Sequence, residues 1–287
     1  MKIHEEDGRL RVAYMGVPGA FGEEAVLTLW PHAIPVATRT MAAVAEVVTR
    51  GEADAGVLPV ENTVAGGVIA AYDALADNAE LHVIAETILD IRQCLLASSG
   101  ATLDSIEIVE SHPVALAQCS QFLSRLHVRE QAASDTASAA RAVAESHDPR
   151  RAAIASAHAA VRYGLDILAA NIEDRPDNQT RFLGIAREEV TLQASTPART
   201  SLVFTTANEP GGLIHALEPF ALNELNLSKL ESRPTGEPWT YRFFADIDHT
   251  AGDPRLDAAV GEMRKATLTC RILGTYARAN ASQQKPD

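Results

Sequence analysis

The sequence predicts an α/β protein that closes with a smaller α+β unit. Three observations carry that reading. Short apolar runs alternate with helix-periodic segments from Arg11 to Leu75, which implies repeated βα units and a mostly parallel sheet. The alternation resumes from Ile106 to Ala186. At Ala194-Ser195-Thr196-Pro197-Ala198 the texture turns to that of a linker, and the C-terminal remainder reads strand, helix, strand, strand, helix, strand. That βαββαβ order is the ferredoxin-like pattern. A domain boundary is therefore placed near Pro197, giving a first domain over 1–197, a second over 198–278 and a polar tail expected to be disordered over 279–287.

The elements run in order from the N-terminus. Arg11 to Met15 is a buried strand, the loop Gly16-Val17-Pro18-Gly19 comes next, and a helix runs from Gly22 to Trp30. Met41, Val44, Val47 and Val48 have helical spacing within Thr40 to Arg50, with Gly51 at the stop position. Ala55 to Val60 is a strand and Val68 to Leu75 a helix. Leu81 to Ala97 reads as one long strand or two short ones, able to carry the chain from one lobe to another. Strands are expected at Ile106 to Val109, Ala152 to Ala155 and Thr180 to Ala186, and helices at Pro113 to Leu126, Thr136 to Glu145 and Ala157 to Tyr163. The last unit places strands at Thr200 to Thr206, Leu225 to Ser232, Tyr241 to Ile247 and Leu268 to Tyr276, with helices at Leu213 to Leu222 and Leu256 to Ala266.

Bulk properties narrow the function classes. The chain has 287 residues, long enough for more than one core, and a net charge of -13, which argues against a nucleic-acid partner. A few local arginines can still set the field of one cleft. No apolar leader or membrane-spanning run stands out, so a cytoplasmic protein with no membrane partner is expected. Cys94, Cys119 and Cys270 are widely spaced, and the nine histidines show no ligand spacing, so neither a metal nor an organic cofactor is expected.

Four clusters offer chemistry. The turn Gly16 to Phe21 stands between a strand and a helix, where backbone N–H groups can meet an anion, or it is a plain tight turn. Glu61-Asn62-Thr63 lies just beyond a strand, where open α/β sheets bind ligands, although taken alone Asn62 or Thr63 as a helix cap explains it slightly better. In Ser111 to Cys119, Pro113 suits the first helical position, and Gln118 projects two turns on from Ser111 on the same face. Asn178-Gln179-Thr180-Arg181-Phe182 sets a hydroxyl beside a guanidinium suited to a carboxylate, or is a surface turn entering a strand.

Taken in order, GVPGAFGEEA, ADAGVLPVENTVAGGV, SHPVALAQC, SDTASAA, AAIASAHAAVRYGL and DNQTRF resemble the prephenate dehydratase family, and GGLIHALEPFALNELNLSKLESRP resembles an ACT regulatory domain. The resemblance implies two α/β lobes around a cleft, like a periplasmic binding protein, followed by a ferredoxin-like ACT domain. It implies decarboxylating dehydration of prephenate to phenylpyruvate, with arogenate dehydration or a non-catalytic amino-acid sensor as alternatives.

Residue by residue, the resemblance puts catalysis on Thr180, Arg181, Glu61 and Asn62, and substrate contacts on Thr63, Ser111, Gln118, Ala20, Phe21, Asn178 and Phe182. Ala20 and Gly22 stand where the family often has hydroxyl residues. Phenylalanine, the implied effector, falls to Gly211, Gly212, Leu213, Ile214, Asn226, Leu227, Glu231, Ser232, Arg233 and Pro234. Because the family binds it between paired ACT domains, a homodimer or homotetramer is implied.

Overall fold

The computed structural model describes residues 8–279. Most of the expected 279–287 tail, residues 280–287, lies outside the described residues. In the first part, strands β1 (Arg11–Met15), β2 (Ile34–Thr38), β3 (Ala55–Asn62), the short β4 (Gly66–Gly67) and β5 (His82–Asp90) alternate with helices α1 (Phe21–Leu29), α2 (Met41–Thr49) and α3 (Ile69–Asp77). The chain then enters a second group: β6 (Cys94–Ala97), β7 (Ile108–Ser111), α4 (Pro113–Gln118), α5 (Ser120–Leu126), β8 (Arg129–Ala132), α6 (Thr136–Ser146), β9 (Arg151–Ala155), α7 (Ala157–Tyr163) and β10 (Asp166–Ala170). It returns through β11 (Gln179–Ala186) and ends with β12 (Pro197–Thr205), α8 (Gly212–Leu222), β13 (Asn226–Pro234), β14 (Tyr241–Thr250), α9 (Pro254–Met263) and β15 (Thr269–Ala277).

Three sheets result. The first has the order β2-β1-β3-β11-β5, with β4 beside β3; the second has the order β10-β6-β9-β7-β8. The chain crosses between them twice, after β5 and after β10, so the segment Leu81 to Ala97 is two strands in two lobes. β1 is parallel to β2 and β3, as expected, but the returning β11 is antiparallel to β3 and β5. The third sheet is antiparallel, ordered β13-β14-β12-β15, and α8 and α9 cover one face.

Local chemistry explains the boundaries. Thr40 caps α2 by accepting from Ala43 N–H, Asp135 caps α6 from Ser138 N–H, and Ser156 caps α7 from Ala159 N–H. The expected single helix over Pro113 to Leu126 is two, broken at Cys119, whose φ of −117° and ψ of 20° are not helical. Each lobe has apolar clusters on both faces of its sheet, with Val12, Tyr14 and Ala55 in one and Ala13, Leu58 and Val60 in the other for the first sheet. Burial of one such side chain contributes roughly 1.5–3 kcal/mol.

The third sheet does not hang free. Phe244, Leu273 and Tyr276 enter the same core as Tyr72, Leu75 and Val83 of the first lobe. The approach is closest at Gly274, where a Cβ would lie 2.0 Å from the carbonyl oxygen of Val83. Among the described residues no helix is long and apolar enough to cross a membrane.

Candidate active site

A cavity of about 380 Å³ lies between the two lobes. The first lobe supplies Gly16, Ala20 and Phe21 from the β1–α1 turn, Asn62 from the end of β3, and Asn178, Thr180 and Phe182 from β11 and its approach. The second supplies His112, Val114, Ala115 and Gln118 from α4, and Asp135 and Thr136 from the start of α6. Gln93, in the first crossing, joins them. Asp135 is the one carboxylate in this lining, which holds no Lys or Arg.

Strand register decides which residues meet. Thr180 pairs with Asn62 across β11 and β3, and Arg181 pairs with Glu61. Successive side chains on a strand point to opposite faces. Asn62 and Thr180 therefore face the cavity, while Glu61 and Arg181 face the third sheet.

On the cavity side, Asn62 Nδ2 donates to Thr180 Oγ1 at 2.9 Å and lies 2.7 Å from Asn178 Oδ1 and 3.0 Å from the Gln179 carbonyl. The other end of that amide accepts from Val64 and Ala65 N–H, which fixes its orientation. Asn178 Nδ2 in turn reaches Gln118 Oε1 at 3.4 Å, so a chain of amides runs from Thr180 to the second lobe. Thr180 is 8% exposed, and its oxygen accepts a hydrogen bond while its own O–H has no acceptor among the described residues. It is a buried hydroxyl whose proton is left for a ligand.

On the opposite face Arg181 is 9% exposed and fully engaged. Its Nε donates to Glu86 at 2.8 Å, Nη1 to Asp246 at 2.5 Å and Nη2 to the Tyr276 hydroxyl at 2.8 Å. Burial alone disfavours the guanidinium charge. Tyr276 and the carboxylates of Asp246 and Glu86 more than offset it, so its pKa is held above the usual arginine value. Glu61 meets Lys229 at 3.0 Å, and Lys229 is the cross-strand neighbour of Asp246. Two cross-strand pairs thus stack face to face as a four-charge checkerboard. Arg181 cannot clamp a carboxylate in the cleft, and Glu61 does not line it, because strand alternation turns both away.

Two more expected contacts lie outside the cavity lining. Ser111 is fully buried and donates to the Ile154 carbonyl at 2.7 Å, which ties β7 to β9. Thr63 is exposed; its hydroxyl donates to the Asp177 carbonyl and accepts from Gln179 N–H. Gln118, Ala20, Phe21, Asn178 and Phe182 do line it. In the glycine-rich turn, Gly19 N–H is taken by Glu23 at 2.6 Å and Ala20 N–H by the Val17 carbonyl at 3.1 Å. The N–H groups of Phe21 and Gly22, in the first turn of α1, have no intrahelical partner and are left for a ligand. The second lobe grips this turn: Tyr163 donates to the Pro18 carbonyl at 2.5 Å, and His158 meets Glu23 at 2.9 Å.

The candidate effector residues divide as well. Gly211, in the left-handed region at φ 86°, caps α8, and Gly212, Leu213 and Ile214 form its first turn. Asn226 and Leu227 open β13. Glu231 and Arg233 face the first lobe, at the Gly67 backbone and Asp73, while Ser232 and Pro234 alternate to the other side. Sequence reasoning misses Gln93, and gives no role to Asp135 and Thr136, although their SDTASAA segment is part of the resemblance. Among the described residues no cluster of three or more His, Cys, Asp or Glu side chains is placed to hold a metal ion.

A two-lobed α/β scaffold with a largely apolar cleft, a few convergent amides and hydroxyls and no Lys or Arg defines a class that binds a small molecule between its lobes. A family profile described as "Prephenate dehydratase" matches residues 12–190. Arogenate dehydratase 2 of Petunia hybrida is 38% identical over 286 residues, covering 94% of this chain and 72% of its own length. Arogenate dehydratase/prephenate dehydratase 1, chloroplastic, of Arabidopsis thaliana is also 38% identical, covering 94% and 73%. Among solved structures, a prephenate dehydratase from Arthrobacter aurescens in complex with L-Phe has a TM-score of 0.86 at 32% identity, over 97% of this chain and 92% of that one. GqqA, described as a novel type of quorum quenching acylase, has a TM-score of 0.87 at 31% identity, over 94% and 98%. The chain belongs to the prephenate dehydratase family.

Proposed function

We propose that this protein catalyses the decarboxylating dehydration of prephenate to phenylpyruvate, carbon dioxide and water. The observation that carries the reading is the Thr180 hydroxyl, buried in the cleft, with its oxygen held by Asn62 and its proton free. As the ring carboxylate leaves as carbon dioxide, its bonding electrons move into the ring and expel the para hydroxyl. Negative charge develops on that oxygen, where Thr180 donates a hydrogen bond, and the departing hydroxide takes a proton from solvent to become water. The N–H of Asn62 on Thr180 Oγ1 polarises the hydroxyl and makes it a stronger donor. One pre-placed donor of this kind is worth about 10²–10³ in rate.

The lining holds no Lys or Arg, so the remaining carboxylate and the side chain of the substrate are met by the first-turn N–H groups of α1 and the amides of Gln118 and Asn178. The same geometry disfavours an acylase. A nucleophilic hydroxyl needs an adjacent base to take its proton, and the partner of Thr180 is itself a donor.

Arogenate, in which an ammonium replaces the keto group, is the second reading. The one carboxylate of the lining, Asp135, and the names of the plant relatives favour it. The βαββαβ order of the C-terminal unit and its antiparallel sheet β13-β14-β12-β15 support a ferredoxin-like, ACT-type reading. We assign it the binding of phenylalanine between the α8 entry and β13 of paired copies in a homodimer or homotetramer, with regulation of the cleft. Incubation of the purified protein with prephenate and, separately, with arogenate tests the reading by following phenylpyruvate and phenylalanine. Turnover of prephenate is expected. Turnover of neither substrate by folded protein overturns the reading.

A further inference from the structure

Gln93 stands apart among the polar residues of the cleft. It is 3% exposed, yet its side-chain amide makes no hydrogen bond among the described residues, and Oε1 is a buried acceptor without a partner. Of the other polar groups of the wall, Thr180 keeps a free proton, while the amides and the carboxylate each have a protein partner. Asn62, Asn178 and Gln118 are joined in one chain, and the Asp135 carboxylate accepts from Ser138 N–H at 2.7 Å, Ser138 Oγ at 2.6 Å and Ser134 Oγ at 3.2 Å. A buried amide left unpaired costs free energy unless something arrives to pair it. Its backbone, by contrast, is anchored: Gln93 N–H donates to Glu173 at 2.9 Å and its carbonyl accepts from Ile172 at 3.0 Å. The peptide is fixed and the amide is presented.

Position says which end of a ligand it meets. Thr180 faces Leu89 across β11 and β5 in the first lobe. Gln93 lies four residues further along the crossing, at most about 14 Å away when extended, and immediately before β6 of the second lobe. In prephenate and arogenate the ring hydroxyl and the three-carbon side chain are at opposite ends of a six-membered ring. A substrate laid across the cleft, with its hydroxyl at Thr180 on the first-lobe sheet, would bring its side chain to the second-lobe side, where Gln93 enters β6. An amide suits both forms of that side chain, since it donates to a keto oxygen through Nε2 and, rotated, accepts from an ammonium through Oε1.

We propose that Gln93 is the specificity-determining residue that reads the keto or amino group of the substrate side chain. This rests on the reaction proposed for the cleft. The test compares kcat and KM on prephenate and on arogenate for wild type, Gln93→Met and Gln93→Glu, with the thermal midpoint of each protein. Methionine keeps the size and removes both hydrogen-bonding functions, so kcat/KM falls about 10- to 100-fold on the substrates the wild type uses. Because the amide has no protein partner to lose and its unpaired burial is relieved, the midpoint holds or rises. Glutamate accepts but does not donate, so the arogenate-to-prephenate ratio of kcat/KM rises at least about tenfold. Activity of Gln93→Met within twofold of wild type overturns the contact. An equal loss on both substrates in Gln93→Glu overturns its placement at the side-chain end. A wild type inactive on both substrates instead overturns the proposed reaction, and this inference falls with it.

Discussion

Replacing Arg181 by leucine removes a guanidinium held by three partners and leaves them unequally served. Glu86 keeps Arg199, whose Nη1 lies 2.9 Å from it, and the N–H of Ala279 at 2.8 Å. Asp246, 6% exposed, keeps the Ser201 hydroxyl and, among the described residues, no cation within ion-pair distance. Breaking a buried pair so that one charge stays uncompensated costs about 3–5 kcal/mol. A shift of roughly 2–4 °C per kcal/mol at this size puts the fall in thermal midpoint at roughly 6–20 °C. The cost lies in the orphaned carboxylate rather than in the lost contact. The double variant Arg181→Leu, Asp246→Asn is therefore more stable than the single one. The assay is thermal unfolding of the single and double variants, with KM for the substrate measured on Arg181→Lys, which keeps a charge at the site. The reasoning requires a large stability loss in Arg181→Leu, partial recovery in the double variant, and KM in Arg181→Lys within about threefold of wild type. A loss below about 1 kcal/mol, the level of an exposed pair, together with a KM raised a hundredfold, would show that Arg181 holds substrate and refute the account.

Other positions give further tests. Gly274→Ala sets a methyl group 2.0 Å from the Val83 carbonyl, a backbone atom that cannot rotate away. It is expected to cost about 1–3 kcal/mol, read as a lowered denaturation midpoint. In Gly212→Val the first added carbon would lie 2.6 Å from the Ala207 carbonyl at the entry of α8. Phenylalanine should then lose its effect on turnover while basal turnover remains, and an unchanged response would remove the effector from this turn. Asp248 provides a pH test. Burial pushes its carboxyl up, but hydrogen bonding and charge from Arg199 outweigh this and hold it below the usual range. A depressed folded-state value contributes stability above the unfolded value, ~4, and loses it as pH falls below that. Asp248→Asn should flatten the acid limb of a stability-versus-pH curve, and an unchanged limb would deny the pairing.

Much of the fold is legible because buried elements carry their period in the sequence. The strand at Arg11–Met15 and the helix at Ala157–Tyr163 stand where spacing puts them. The strands that sequence reading misses tell the complementary story. β2, β8 and β10 are all sheet edges. β2 contains Pro35, which removes a ladder donor and weakens the strand signal, and an edge position accommodates it. β8 is Arg-Glu-Gln-Ala and exposed throughout, with no apolar face to reveal it.

The site obeys the same logic. The motifs pick out Asn62 and Thr180, which the fold brings together in the cavity lining, and they group Glu61 and Arg181 with them although adjacency in sequence is not adjacency in space. The alternation of a strand is the available signal that they part company. Gln93 has no such signal, since an amide in a crossing shows its worth only when its missing partners can be counted.

The most direct measurement is the turnover number of Thr180→Ala beside Thr180→Ser on the substrate the wild type uses, with both variants shown to be folded. The account predicts a fall of about 10²–10³ in the alanine variant and substantially more activity in serine, which keeps the hydroxyl. Near-normal turnover in Thr180→Ala would contradict it.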